Sequence, residues 1–108
     1  MNYKQIEGIF GEIEATKYLI NQGYKIMCRN FRCMQGEIDI IAKDKQELVF
    51  VEVKTRTSIE YGEAKEAVDK NKQKHIYKAA EYYLYKNKAE NVPVRIDVIE
   101  VYLCNRNI

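Results

Sequence analysis

Two short runs decide how this chain is read: Glu37-Ile38-Asp39-Ile40-Ile41-Ala42 and, after five residues, Leu48-Val49-Phe50-Val51-Glu52-Val53-Lys54-Thr55. Both are rich in β-branched residues, and the polar stretch Asp44-Lys45-Gln46-Glu47 lies between them. That pattern predicts a hairpin. Successive side chains on a strand point to opposite faces. Glu37, Asp39 and Ile41 therefore share one face of the first strand, and Ile38, Ile40 and Ala42 the other. On the second, Phe50, Glu52, Lys54 and Arg56 face one way, and Val49, Val51, Val53 and Thr55 the other. A loop over 44–47 pairs Lys43 with Leu48, so Ile41 opposes Phe50, Asp39 opposes Glu52 and Glu37 opposes Lys54. Directly opposed Cβ atoms lie about 4.5–5.5 Å apart. Two carboxylates are thus expected side by side, next to a lysine.

Outward from the hairpin, the remaining segments complete an alternating order. Ile6, Ile9, Phe10, Ile13 and Ile20 recur at helical spacing between Asn2 and Asn21, and Asn21-Gln22-Gly23 supplies a stop. A neighbouring stripe of Gly8, Glu12, Ala15 and Leu19 suits close approach to another element, with Glu12 either at that contact or in solvent. Tyr24–Asn30 reads as a strand. After Gly62 a short helical piece near Glu63–Asp69 leads into a longer helix near Asn71–Lys88, where Ile76, Ala80, Tyr83 and Leu84 share a face. Beyond Pro93, Val94–Leu103 alternates as a final strand. The order α-β-β-β-α-β predicts an α/β fold, one domain over residues 1–108 around a mixed sheet flanked by helices.

Opposed like charges destabilise a hairpin by up to about 1 kcal/mol. A divalent cation between Asp39 and Glu52 removes that cost, and Mg²⁺ takes one or two carboxylates plus waters and a phosphate oxygen. Such an ion polarises a phosphodiester. Lys54, two residues from Glu52 on the same face, can orient the attacking water or stabilise charge on phosphorus-bound oxygens. The same residues also fit the wet face of a half-exposed sheet, with Glu37–Lys54 as a cross-strand ion pair worth little. Ile41 and Phe50 share that face, which points to partial cover by helices.

Charge supports the chemical reading only when it is resolved along the chain. The 108 residues carry 18 lysines and arginines against 16 acids, a net +2. Residues 1–69 hold 10 basic and 12 acidic side chains, whereas residues 70–88 hold six lysines and one glutamate. The lysines there, Lys72 and Lys74 among them, are interleaved with tyrosines, which suits phosphate contact as well as it suits a solvated helix face. Arg29, Arg32 and Arg56 flank the acid pair and can clamp backbone phosphates, with local ion pairs as the alternative for Arg29 or Arg32. His75 reads as a surface histidine, Asp97 as a structural partner of Arg95, and Gly36 and Gly62 as turn residues. Cys28, Cys33 and Cys104 match no zinc or redox spacing and read as free, buried thiols. No run approaches a membrane span, and the N-terminal residues lack the apolar run of a signal peptide, so a cytoplasmic protein is expected.

Asp39, twelve intervening residues and then Glu52-Val53-Lys54 resembles the signature of the PD-(D/E)xK nuclease superfamily, which includes type II restriction enzymes and archaeal Holliday-junction resolvases. A more specific resemblance spans nearly the whole chain. Gly8…Gly11-Glu12…Ala15, Arg29-Asn30-Phe31-Arg32, Gly36-Glu37-Ile38-Asp39, Phe50-Val51-Glu52-Val53-Lys54-Thr55-Arg56, Tyr61-Gly62, Lys72 and Arg95-Ile96-Asp97-Val98 are similar, in order, to the YraN family. That family is a bacterial group of small predicted endonucleases. The resemblance implies a restriction-endonuclease-like αβββαβ core. It also implies metal-binding roles for Asp39 and Glu52, a catalytic role for Lys54 and an accessory metal-site role for Glu12. Ile38 stands where the superfamily's name has proline. The function implied is a Mg²⁺- or Mn²⁺-dependent endonuclease acting on DNA, branched or junction DNA included, which a homodimer would suit. The alternatives are a nucleic-acid-binding module that keeps the fold without cutting, and a purely structural interaction protein.

Overall fold

In a computed structural model the described residues are 1–56 and 70–103. The readings made for Tyr61-Gly62, for the helical piece near Glu63–Asp69 and for Cys104 lie outside them. Six elements follow in order: α1 (Tyr3–Asn21), β1 (Lys25–Cys33), β2 (Gly36–Asp44), β3 (Glu47–Arg56), α2 (Lys70–Lys86) and β4 (Val94–Tyr102). The strands form one sheet in the order β1-β2-β3-β4. β1/β2 and β2/β3 are antiparallel and β3/β4 is parallel, so the expected mixed α/β sheet is present. The return from β3 to a parallel β4 passes through α2, as a parallel pair requires.

α1 starts at a reciprocal cap. Asn2 Oδ1 accepts from the Gln5 backbone N–H at 2.8 Å, and Gln5 Oε1 accepts from the Asn2 N–H at 2.9 Å. It ends at Gly23, whose φ of 93° suits glycine and whose N–H returns to the Ile20 carbonyl. The helix meets the sheet through Gly11, Ala15 and Leu19. At Gly11 an added Cβ would collide with Thr55 Oγ1, so only glycine fits beneath β3. Gly8, placed with that stripe from its spacing, has open space around it. The larger residues at helical spacing point away: Ile9, Phe10 and Ile20 are exposed. Small side chains let the helix axis come close, and the bulky face is consequently the outer one.

Two cores sandwich the sheet. On the α1 side Ala15 and Leu19 pack with Ile40, Ala42, Val49 and Val51. On the α2 side Ile76, Ala79 and Ala80 pack with Ile38, Ile41, Leu48 and Phe50. Tyr83 stands edge-on to Phe31 and Phe50 there, with ring centroids 5.3 and 5.9 Å away. At Gly36 the α2 backbone approaches so closely that an added Cβ would sit 3.0 Å from the His75 carbonyl oxygen. Cys28 and Cys33 are free thiols, half-buried at the edge of this core. No described helix is long and apolar enough to cross a membrane.

The β2/β3 hairpin has the expected register where it pairs. Asp44↔Glu47 closes a two-residue turn over Lys45 (φ 59°) and Gln46, and Lys43↔Leu48 and Ile41↔Phe50 follow. Pairing then stops at Ile40↔Val51. The expected cross-strand pairs Asp39–Glu52 and Glu37–Lys54 are not ladder pairs, and Glu37 pairs with Arg32 of β1. The assignment of Ile38 to the face of Ile40 and Ala42 is also corrected, since Ile38 lies with Ile41 in the α2-side core. Strict alternation cannot place residues three apart on one face. The alternation phase changes at Asp39, whose position on β1 corresponds to Asn30, between the pairs Arg29↔Ile40 and Phe31↔Ile38. Asn30 has φ 54°, a conformation that asparagine tolerates better than most side chains. Phe31 and Cys33 accordingly lie on the α2 side with Cys28, again at odd spacing.

Candidate active site

Where β2 leaves β3, the Val53 N–H loses a main-chain partner on β2. The Asp39 carboxylate takes it: Oδ2 accepts from Val53 N at 2.8 Å. Asp39 is half-buried, and beside it stands Glu52, only 4% exposed in an otherwise apolar core. The two carboxylates are close enough to hydrogen-bond and titrate as a unit. Burial and then the Asp39 charge push Glu52 up to about 7, against the pull of Lys72 and Lys54. Asp39 is also raised, chiefly by burial, but the Val53 N–H, the Glu52 hydrogen bond and the Lys72 charge hold it down. Both carboxyls therefore hold a proton more tightly than free side chains do.

The juxtaposition expected from strand pairing is thus present by another route, a side chain in the gap rather than a rung of the ladder. Lys54 is half-buried and acts on Glu52 through its charge. Lys72, from the first turn of α2, places Nζ 3.4 Å from Glu52 Oε2. Glu12 reaches the site from the opposite side of the sheet. Burial raises it first, followed by Asp39 and Glu37, while Arg29 and a hydrogen bond from Asn30 lower it. The four residues Glu12, Asp39, Glu52 and Lys54 consequently share one electrostatic neighbourhood.

The cations proposed for phosphate contact separate into two groups. Arg29 and Lys74 are exposed. Arg32, also exposed, holds Glu37 at 3.3 Å, Arg56 holds Glu100 of β4 at 3.5 Å, and Lys72 holds Glu52. Away from the site, Arg95 binds Glu47 at 2.7 Å and Asp97 at 3.1 Å, with Tyr24 Oη accepting from its Nη2. Asp97 is therefore the structural partner that its position suggested. Sequence reasoning assigned no role to Asn30, which both turns the strand and touches Glu12. The signal available was an asparagine at the centre of a strand, a residue type that favours left-handed backbone over a ladder.

The donor set suits a hard divalent cation in one respect. Two adjacent carboxylates, one buried and raised in pKa by the other, are relieved by a cation, and Mg²⁺ completes its shell with water. Among the described residues no group of three His, Cys, Asp or Glu side chains forms a cage. Any ion at this site would have Asp39 and Glu52 as its protein ligands, with water completing the shell. Glu12, expected as a further ligand, is not grouped with them and meets them only through the charge of Asp39.

Residues 11–101 match the model of a family described as "Uncharacterised protein family UPF0102". A UPF0102 protein of Clostridioides difficile is 49% identical over 108 residues, covering 100% of this chain and 94% of its own. One from Caldicellulosiruptor saccharolyticus is 47% identical over 107 residues, covering 99% and 90%. One from Clostridium botulinum is 54% identical over 101 residues, covering 93% and 82%. With Glu12, Asp39, Glu52 and Lys54 all inside the matched region, the chain belongs to the UPF0102 family, the YraN family that its motifs resemble.

Proposed function

We propose that this protein is a divalent-cation-dependent nuclease that hydrolyses phosphodiester bonds in DNA, branched DNA included. The observation that carries the reading is a buried Glu52 beside Asp39 at the point where two strands part. A sheet gains nothing in stability from such a pair, and carboxylates perturbed by burial together with a charged neighbour mark candidate functional sites. Asp39 and Glu52 would hold Mg²⁺ or Mn²⁺, which supplies Lewis-acid polarisation of the phosphodiester and neutralises developing charge. The Val53 N–H fixes the Asp39 carboxylate in place beside Glu52, so the pair needs little further ordering. Lys54 brings an ammonium to the same acids, where it can stabilise the phosphorane oxygens or orient water. Lys72 balances the Glu52 charge at 3.4 Å, and with a cation on the acids its ammonium would be available to a phosphate. Exposed Arg29 and Lys74 supply further backbone contacts.

The Lys72–Glu52 ion pair also favours a second reading, a nucleic-acid-binding module in which the lysine satisfies the acids permanently. Cleavage assays with Mg²⁺ or Mn²⁺ on duplex, flap and four-way-junction DNA separate the two. Metal-dependent cleavage abolished by Asp39→Asn and by Lys54→Ala is expected. Salt-dependent binding without cleavage on any substrate would establish the module instead, and cleavage surviving both substitutions would reject the site.

A further inference from the structure

The sheet has two outer strands, and they are built differently. β1 carries the devices that keep an edge from pairing: a bulge between Ile26 and Cys28, the left-handed Asn30 and several cationic side chains. β4 carries no such irregularity, pairing with β3 without a break from Leu48↔Val94 to Arg56↔Tyr102. Val94, Ile96 and Val98 of β4 are each 43% exposed. With Ile76 and Tyr77 of α2 they line an apolar groove of about 490 Å³. A regular, apolar outer strand is a template for another strand.

The residue pattern of β4 selects its own partner. Antiparallel pairing of two copies about an axis through Ile96 sets Ile96 against Ile96 and Val94 against Val98 on the groove face. On the other face it sets Arg95 against Asp97 twice, giving an alternating quartet of charges. Opposite charges directly across a sheet stabilise it, and like charges destabilise it. Centring on Arg95 or Asp97 would instead put that residue against itself, and centring on Val98 would put Glu100 against Ile96. Arg95 and Asp97 are each about one-third exposed, so both can reach across.

We infer that two copies of this chain associate through β4 in antiparallel register centred on Ile96, joining their sheets into one of eight strands. The interface is isologous, as a two-fold dimer requires. Given a strand spacing of about 4.8 Å and a rise of about 3.3 Å per residue, the two Glu52 residues fall on the same face, on the order of 20 Å apart. The inference rests on the shape and pattern of β4 and is independent of any nuclease activity.

Sedimentation velocity over a concentration series up to about 100 μM tests it. The wild type is expected at twice the 12.8 kDa chain mass at the upper end. Ile96→Lys and Ile96→Glu, each opposed to itself across the axis, are expected to be monomers alone and to dimerise when mixed. Amide exchange along β4 of the wild type, which needs no variant, is expected to slow as concentration rises. A wild type monomeric throughout the series, a folded Ile96→Lys that stays dimeric, or a mixture that stays monomeric would each overturn the inference.

Discussion

Replacing Glu52 with glutamine should make the metal-free protein more stable, and only at neutral to alkaline pH. Glu52 ionises near 4.5 in an unfolded chain and at about 7 in the folded one. Between those values the native state keeps a proton that the unfolded state has released, so stability falls as pH rises. Above pH 7 the full penalty is present, and below pH 4.5 it vanishes. One pKa unit is worth 1.36 kcal/mol, which puts the penalty at about 3 kcal/mol. Glutamine keeps the shape and sheds the charge. The attraction of the half-exposed Lys72 is already contained in that figure, because it lowers the folded-state value from which the penalty is worked. The gain at pH 8 is then about 3 kcal/mol, or roughly 12 °C in Tm for a chain of this size.

Thermal denaturation of Glu52→Gln and wild type in EDTA, at pH 8 and at pH 4.5, measures this directly. A gain at pH 8 that fades at pH 4.5 is expected. An equal gain at both would assign the effect to packing, and no gain at pH 8 would show that Glu52 carries no burial penalty. Adding Mn²⁺ at pH 8 should raise the Tm of the wild type and leave the variant unmoved, because only an ion held by the folded state stabilises it. The apparent Mn²⁺ affinity of the wild type should climb with pH, approaching tenfold per unit below about 7, and level off above.

Two further predictions test the scaffold. Gly11→Ala forces a Cβ into Thr55 Oγ1 and should cost about 2–3 kcal/mol in urea denaturation, of which Thr55→Ala in the same chain recovers part. At Asn30, glycine should be tolerated within about 0.5 kcal/mol because it accepts the left-handed backbone, whereas valine should lose roughly 1–2 kcal/mol. Equal losses for both substitutions would mean that the hydrogen bond to Glu12, and not the backbone, is what matters there.

The element order and the hairpin register were legible because they rest on local chemistry. β-Branched runs, a polar turn and alternation are sufficient to set Lys43 against Leu48 and Ile41 against Phe50. Alternation stopped being a guide at Asp39, since a period of two has no means of registering a residue that turns the strand. Asn30 lies on a different strand, and its effect on Asp39 is a matter of pairing, not of sequence neighbourhood. Glu37 illustrates the same limit: counting along β2/β3 assigns it to Lys54, while the preceding hairpin brings Arg32 within 3.3 Å. On α1 hydrophobicity alone favours Ile9 and Phe10 as the inner face. Gly11 and Ala15 occupy it because the helix lies too close to β3 for anything larger. The acid pair itself was predicted, although the ladder that was to hold it ends one residue short.

That early end shapes the chemistry. Had the ladder continued, Asp39 and Glu52 would stand on the same face as equivalent neighbours, each with the same claim on a proton. Because it stops at Ile40↔Val51, an N–H is left over at Val53, and Asp39 turns into the gap to accept from it. A hydrogen bond donated to a carboxylate favours its ionised form. Burial raises both carboxyls, but at Asp39 the Val53 N–H opposes the rise, whereas Glu52, 4% exposed, is opposed chiefly by Lys72 and is pushed up to about 7. The two acids become inequivalent, one fixed by a backbone N–H, the other pushed up to about 7 with Lys72 as its counter-charge. Glu12, raised first by its own burial, feels the Asp39 charge as well. In this fold, then, the strand break does not interrupt an otherwise complete site. It makes two identical functional groups different, as a pair of carboxylates must be to divide acid and base roles at one pH.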